Sequence, residues 1–353
     1  MKSFAAVSRA PEDSAFPARL AVLVPVHHDG SSGRTARADR AALLQSCLAS
    51  IVAASNFCRM TSAAFREISI IVVDDYSPED PGALLDADTL RNTRWLRNQG
   101  AKGQAGALNF AMANVDADAF AFTDSDCVVA PDWLQCIADY YRAHPAHGGV
   151  CGPNWLFGPA VQRWSRILTA QEAALMRFLT ETEIDRCRST TTRIDCRNLS
   201  LRVDFAARLQ ESGELFGDGV CSVSGQASYF LKSRLMDGEV PVGFCQAMQT
   251  FHQPISSLLG QMAVYYARGR WSRFDEIYAS LYGSLRAALV KRYAMRHFIA
   301  PMVSGSASFS YVWPVHLAFW AGIVHRRYAG QRQENTRLKK PYPEVQSRGE
   351  GAA

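Results

Sequence analysis

Three apolar runs, each closed by a turn that carries charge, constrain this chain more than any other feature. They are L-A-V-L-V-P-V at residues 20–26, I-S-I-I-V-V at 68–73 and A-F-A-F-T at 119–123. Runs of that length without polar alternation are expected of parallel strands covered on both faces. Between the first two, residues 39–54 place Leu43, Leu44, Leu48, Ile51 and Val52 at helical spacing. Strand, helix and strand make a right-handed parallel crossover. A short strand near residues 94–96, a helix over 107–113 and another over 132–144 complete an α/β half. The expected fold class is a mostly parallel sheet flanked by helices, with a C-terminal helical extension.

In open sheets of this kind, ligands collect at the carboxyl ends of the strands. The turns there read His27-His28-Asp29-Gly30, Asp74-Asp75-Tyr76-Ser77 and Asp124-Ser125-Asp126. Two carboxylates one residue apart on a strand-to-loop turn can serve a hard divalent cation that also holds phosphates. The same spacing in Asp116-Ala117-Asp118 reads as the polar turn that leads into the strand, and Asp74 as a turn former. Gly100, Gly103 and Gly106 are too irregular for a Walker loop and are expected to let the backbone pass close to a ligand.

At 353 residues and 48% hydrophobic, the chain can bury a large core as one α/β domain or two. A net charge of +5 suits anionic ligands or an anionic membrane surface and falls short of a nucleic-acid binder. The nine cysteines are scattered and include no C-x-x-C pair, which points to reduced thiols in the cytoplasm. The first residues lack the apolar core of a secretory signal and read as a poorly ordered tail over residues 1–18.

Four motifs now stand in order: V-L-V-P-V-H-H-D, I-I-V-V-D-D-Y-S-P-E-D, N-Q-G-A-K-G-Q-A-G-A-L-N and A-F-T-D-S-D-C-V-V-A-P-D-W-L. Together they resemble the nucleotide-sugar-binding half of family-two glycosyltransferases, which have the GT-A fold. The resemblance implies that Pro25 and Val26 line the base and ribose of a nucleotide-sugar donor, with Asp29 on the same side. It implies that Asp75 contacts the base, that Lys102 lies near the nucleotide, and that Asp124 and Ser125 face the ribose side. Asp126 would bind Mn2+ or Mg2+, and His252, in the stretch 242–253 that resembles the family's last strand, would complete the metal site or touch the diphosphate. Asn198, in R-N-L-S-L-R, and Gln226 would face the acceptor, and Arg268, Arg270 and Trp271 would close over phosphates or acceptor. The implied boundaries are 19–150 for the nucleotide-sugar half and 151–255 for the acceptor half, in which residues 160–177 read as an amphipathic helix.

The physical demands agree. Cleaving a nucleotide-sugar requires stabilising a developing nucleoside diphosphate, which a divalent ion does as a Lewis acid. An inverting transfer also needs a group that takes the acceptor hydroxyl's proton. Here the chain departs from the family, because Gln226-Ala227 stand where an acidic pair is expected. Asp218, in the turn Gly217-Asp218-Gly219, is the leading replacement base, with Glu214 beside it. Three other readings stay open: an acceptor needing little base assistance, a shifted register in this segment, and a catalytically silent nucleotide-sugar-binding or scaffold protein. The acceptor's nature, whether carbohydrate, lipid-linked or small molecule, is not encoded in a motif.

Residues 256–330 are expected to be helical. Their apolar stretch at 309–324 contains Pro314 and His316 and is shorter than the roughly twenty residues a bilayer span requires. With basic residues on both flanks it reads as an interfacial element, so the protein is expected to be cytoplasmic and possibly peripheral to a membrane. Residues 331–353 read as a polar, disordered tail.

Overall fold

The computed structural model describes residues 16–28, 34–156, 194–210, 215–217, 227–228, 231, 235, 240–252, 258–270 and 309–337. The first half runs β1 (Arg19–Val26), α1 (Arg34–Thr61), β2 (Glu67–Asp74), α2 (Ala87–Arg91), β3 (Arg94–Arg97), α3 (Gln104–Asn114) and β4 (Ala119–Phe122). It continues with β5 (Cys127–Val129), α4 (Trp133–Ala143), β6 (Gly149–Cys151), β7 (Asn154–Leu156), β8 (Leu199–Arg202) and α5 (Val203–Gln210). Then come β9 (Val242–Phe244), β10 (Thr250–His252), α6 (Leu258–Arg270) and α7 (Phe309–Arg337).

Seven strands form one sheet in the order β3-β2-β1-β4-β8-β6-β9. β1 is parallel to β2 from Arg19↔Glu67 to Val26↔Asp74 and parallel to β4 from Leu20↔Ala119 to Leu23↔Phe122. β8 breaks the pattern, lying antiparallel to both β4 and β6. A smaller sheet, β5-β10-β7, pairs β10 antiparallel to β5 and parallel to β7. The large sheet crosses the boundary expected at 150/151, so the two halves share one scaffold.

The lack of alternation in β1 has the expected cause. Ala21 and Leu23 pack with Leu108, Ala111, Phe122 and Leu201 on one face, while Leu20, Val22 and Val24 pack with Leu44, Leu48, Ile51 and Ile137 on the other. Helix α1 is longer than its apolar spacing indicates, because Cys58 continues the buried stripe past Ala54. Asp118 straps the start of β1 to β4 by accepting from the amides of Ala18 and Arg19 at 3.0 and 2.9 Å and from the Arg19 guanidinium at 2.8 Å. That accounts for the upstream carboxylate pair as structure.

Several boundaries shift. The expected N-terminal tail ends early, since Phe16 stacks on Phe65 at 5.4 Å and the Arg142 guanidinium lies over its ring. The stretch 242–253 holds two strands in two sheets, divided by a turn in which the Met248 amide donates to Cys245 O at 3.2 Å. α7 continues to Arg337, seven residues into the expected C-terminal tail. The helix expected over 160–177 lies outside the described residues.

α6 and α7 pack backbone to backbone. A Cβ on Gly269 would lie 2.1 Å from Phe319 O, and one on Gly322 would lie 2.2 Å from Tyr266 O, so only glycine permits this approach. α7 turns Val315, Ala318, Phe319 and Ile323 inward. Its opposite face leaves Trp313, Leu317, Val324 and Tyr328 exposed. Among the described residues, the one segment long and apolar enough to cross a membrane is 39–61 of α1. There Leu44, Cys47, Leu48 and Ile51 are fully buried as the core helix of the sheet.

Candidate active site

The chain runs β1, β2, β3 outward on one side of β1 and returns as β4 on the other. The strand order therefore reverses between β1 and β4, and the crevice at their carboxyl ends is where such sheets bind ligands. Pro25 and Val26 end β1, and the Asp75 amide donates to Val26 O at 2.8 Å. The Asp75 carboxylate, 8% exposed, accepts from Asn98 Nδ2 at 2.9 Å and from the Gly103 amide at 2.8 Å. An ionised carboxylate has about four lone-pair sites, so capacity for a further donor remains. Its neighbour Asp74 accepts from the Ser77 amide at 3.0 Å and pairs with Arg97, which makes it the turn former its position indicates.

The glycine-rich loop is organised from within. Asn98 accepts from the Gly100 amide at 2.8 Å and donates to Ala101 O at 2.8 Å. Gly106 packs against that loop: a Cβ there would stand 1.9 Å from Ala101 O. The close approach expected toward a ligand is, at Gly106, an approach to the chain's own backbone. Lys102 sits 5.2 Å above the ring of Tyr76, whose hydroxyl donates to Gly100 O at 2.8 Å. Tyr76 holds φ 56°, in the left-handed region.

Across the crevice, Asp124-Ser125-Asp126 form the turn from β4 to β5, closed by the Cys127 amide donating to Asp124 O at 3.0 Å. Gln104 Nε2 donates to Asp124 Oδ1 at 2.5 Å, and Ser125 is half-buried between the two carboxylates. The β10–β5 register pairs His252 with Cys127. His252 Nε2 consequently lies 3.3 Å from Asp126 Oδ2, so the structure brings together the two residues implied as metal ligands. Beside them, Arg197 Nη1 is 3.1 Å from His252 Nδ1. Arg197 Nε and Nη2 donate to the Asp195 carboxylate at 3.0, 3.2 and 2.6 Å.

The electrostatics separate these carboxylates. Burial, and then the charge of Asp126, push Asp124 well above the usual range. Burial also raises Asp126, but the hydrogen bond to His252 and the charge of Arg197 act against it, leaving Asp126 lowered. Asp195 is buried too, and its ion pair with Arg197 holds it far below the ordinary carboxylate value. So depressed an acid is a poor proton acceptor. Sequence reasoning assigned no role to Asp195, Arg197 or Gln104. The signal present was an Asp and an Arg two residues apart before β8, which by itself does not differ from a surface pair.

Asn198 needs correcting. Expected on the acceptor side, it is fully buried. Its Oδ1 accepts from Trp133 Nε1 at 2.8 Å, and its Nδ2 donates to Pro153 O and Met248 O, each at 2.7 Å. Both amide hydrogens are spent and the group is closed off from solvent, so it cannot reach an acceptor: the residue is a strut joining α4, β8 and the loops beside β7 and β10. Removing it strands three buried groups, at about 1–3 kcal/mol each before relaxation. Asn198→Ala is expected to lower stability by roughly 3–5 kcal/mol, read as a shift of the denaturant midpoint. A midpoint within experimental error of the parent would refute the strut.

Asp29, Glu214, Asp218, Gln226 and Trp271 lie outside the described residues. Gly217 and Ala227 are among their described neighbours. Gly217 O accepts from Asn109 Nδ2 at 2.9 Å, with the Phe216 amide donating back to Asn109 Oδ1 at 3.2 Å. Ala227, which shares the position of the expected acidic pair, is 2% exposed and packs in the core that includes Leu199 and Phe216. Arg268 and Arg270 stack over Tyr265 and Tyr266 of their own helix at 5.0 and 5.8 Å.

Residues 37–208 match the family model for glycosyl transferase family 2. Over these residues the chain belongs to glycosyltransferase family 2. The match spans α1 to α5 and includes Asp75, Asp124, Asp126 and Arg197. Among curated proteins no match is found. Similar solved structures include a mannosyltransferase of Pyrobaculum calidifontis in complex with GDP-Man and Mn2+, 15% identical, with a TM-score of 0.44 over 95% of this chain and 79% of that one. Another is glucosyl-3-phosphoglycerate synthase of Mycobacterium tuberculosis in complex with Mn2+, UDP-glucose and phosphoglyceric acid, 14% identical, with a TM-score of 0.43 over 76% of this chain and 80% of that one. The glycosyltransferase has the GT-A fold, its mostly parallel sheet carrying the carboxylate turn at the strand-order reversal.

Whether this family 2 site suits a metal depends on its donors. Among the described residues, no three His, Cys, Asp or Glu side chains converge into a closed metal centre. The Asp126 side chain is 39% exposed at the crevice. One open carboxylate fits a hard ion that takes its other ligands from phosphate oxygens and water, as Mg2+ commonly does.

Proposed function

We propose that this glycosyltransferase moves a sugar, with inversion, from a nucleoside diphosphate donor to a hydroxyl acceptor, with a divalent ion at Asp126. The observation that carries the reading is the carboxylate turn at the β1/β4 reversal, faced by the partly satisfied carboxylate of Asp75. In this reading Asp75 accepts from a base N–H, and Pro25 and Val26 present the end of β1 to the base and ribose. Asp124, held by Gln104, faces the ribose side. Asp126 would hold Mn2+ or Mg2+, which when bound supplies Lewis-acid stabilisation of the leaving diphosphate. The test is a panel of nucleotide-sugars, scored for thermal stabilisation and for metal-dependent release of nucleoside diphosphate. Stabilisation without release favours the silent donor-binding alternative, and neither with any donor overturns the reading.

The protein's partners in this reading include a membrane surface. On α7, Trp313, Leu317, Val324 and Tyr328 form an exposed apolar face followed by His325, Arg326 and Arg327. Aromatic and apolar groups beside cations suit the interface of an anionic bilayer. The pair Leu317→Ser and Val324→Ser, on the face turned away from α6, is expected to reduce co-sedimentation with phosphatidylserine vesicles at least about fivefold, from the apolar area removed, with melting temperature unchanged. Equal co-sedimentation of the variant and parent would remove the membrane from this account.

A further inference from the structure

The contact between Arg197 and His252 has a direction that the residue types alone decide. A guanidinium only donates hydrogen bonds. At 3.1 Å from Arg197 Nη1, His252 Nδ1 must therefore present its lone pair. A neutral imidazole carries one proton, which then sits on Nε2, 3.3 Å from Asp126 Oδ2, where a carboxylate attracts a proton and repels a lone pair. Two contacts on opposite edges of the ring thus select the same tautomer. Arg197 cannot easily turn away, because Asp195 receives its Nε, its Nη2 and its backbone amide.

A histidine that ligates a metal usually shows the opposite arrangement. Its far nitrogen donates to a carboxylate or carbonyl, leaving the near nitrogen's lone pair for the ion. Here the far nitrogen meets a donor. Resting on the proposed function for its metal, we propose that Arg197 is a positioning residue that holds His252 as an Nε2–H donor. The imidazole then serves Asp126 and an incoming phosphate oxygen instead of the ion, and a divalent cation is captured together with the nucleoside diphosphate rather than before it. Asp195, in turn, sets Arg197.

The same geometry says what Arg197→Met should do. Asp195 loses its cation beside the imidazole, Nδ1 can carry the proton toward that carboxylate, and Nε2 is left with a lone pair beside Asp126. The substitution would build the carboxylate–histidine–metal arrangement that the parent avoids.

The test needs no turnover. In the full-length, metal-free parent with 15N-labelled histidine, the His252 ring, assigned by loss of its signals in His252→Gln, should show a protonated Nε2 and an unprotonated Nδ1. Titrating Mg2+ by calorimetry without nucleotide should give weak binding in the parent and at least about tenfold tighter binding in Arg197→Met, the lower end of what outer-shell partners change. Arg197→Lys, still a donor, should behave as the parent does. A protonated Nδ1 in the parent would overturn the proposal even if Arg197→Met failed to fold. Tight parental Mg2+ binding that His252→Gln abolishes would also overturn it. These readouts stand apart from the donor panel, so failure of the proposed function and failure of the tautomer assignment are distinguishable.

Discussion

Asp126→Ala is expected to remove metal-dependent binding of nucleoside diphosphates and to lower turnover about a thousandfold, the upper range for losing one preorganised electrostatic element. The fold should survive. Asp126 lies on a turn after β4, 39% exposed, and contributes no residue to either core cluster. Its charge also raises Asp124, so its removal relieves a like-charge repulsion and should let the Asp124 carboxyl ionise at lower pH. Calorimetry with nucleoside diphosphate, with and without Mn2+, checks the first claim, and a melting curve checks the second. Unchanged metal-dependent affinity in the variant would sink the assignment of Asp126. A collapsed melting temperature would mean that the turn is structural.

The parts of the fold that were legible in the sequence are those where one residue's environment repeats along an element. β1, β2 and β4 are buried on both faces, so their apolar runs announced them, and α1, α3 and α4 followed from helical spacing and order. The strands of three residues, β5, β6, β7, β9 and β10, are too short to show a period. Their existence depends on partners far away in the chain, as when Thr250–His252 pairs with both β5 and β7. Reading residues 242–253 as one strand failed for that reason.

The candidate site divides along the same line. The Asp124-Ser125-Asp126 turn could be read because it directly follows a legible strand. The meeting of Asp126 with His252 comes from the β5–β10 register, which the sequence alone does not provide. Asn198 was misread because an asparagine before a strand looks like a surface ligand. Only the packing of Trp133, Pro153 and Met248 around it shows that its amide is buried and spent on the chain's own groups. Asp195 and Arg197 were passed over because a bidentate ion pair and a solvated one have the same letters.

The missing base yields the other large effect. Of the described carboxylates near the crevice, Asp126 is paired with His252, Asp195 is held by Arg197, Asp124 accepts from Gln104 and is assigned to the ribose side, and Asp75, which already accepts from Asn98 and Gly103, is assigned to the donor's base. Ala227 lies in the core, so placing an acid there would bury a charge without a partner, and the double change of Gln226→Glu with Ala227→Asp is expected to unfold the protein rather than restore an acidic pair. Outside the described residues, the sequence offers Asp218, next to Gly217, which Asn109 ties to α3. Losing a general base costs about a hundredfold to ten-thousandfold in rate, whereas losing a solvated carboxylate costs almost nothing. Asp218→Asn is therefore expected to lower turnover at least about a hundredfold with donor affinity unchanged. Gln226→Glu alone should keep activity or raise it. The measurement is steady-state transfer with the best donor found, alongside calorimetric donor affinity. Full activity of Asp218→Asn would exclude it as the base. If no donor gives turnover in the parent but Gln226→Glu gains hydrolysis, the chain is a donor-binding protein on a transferase fold.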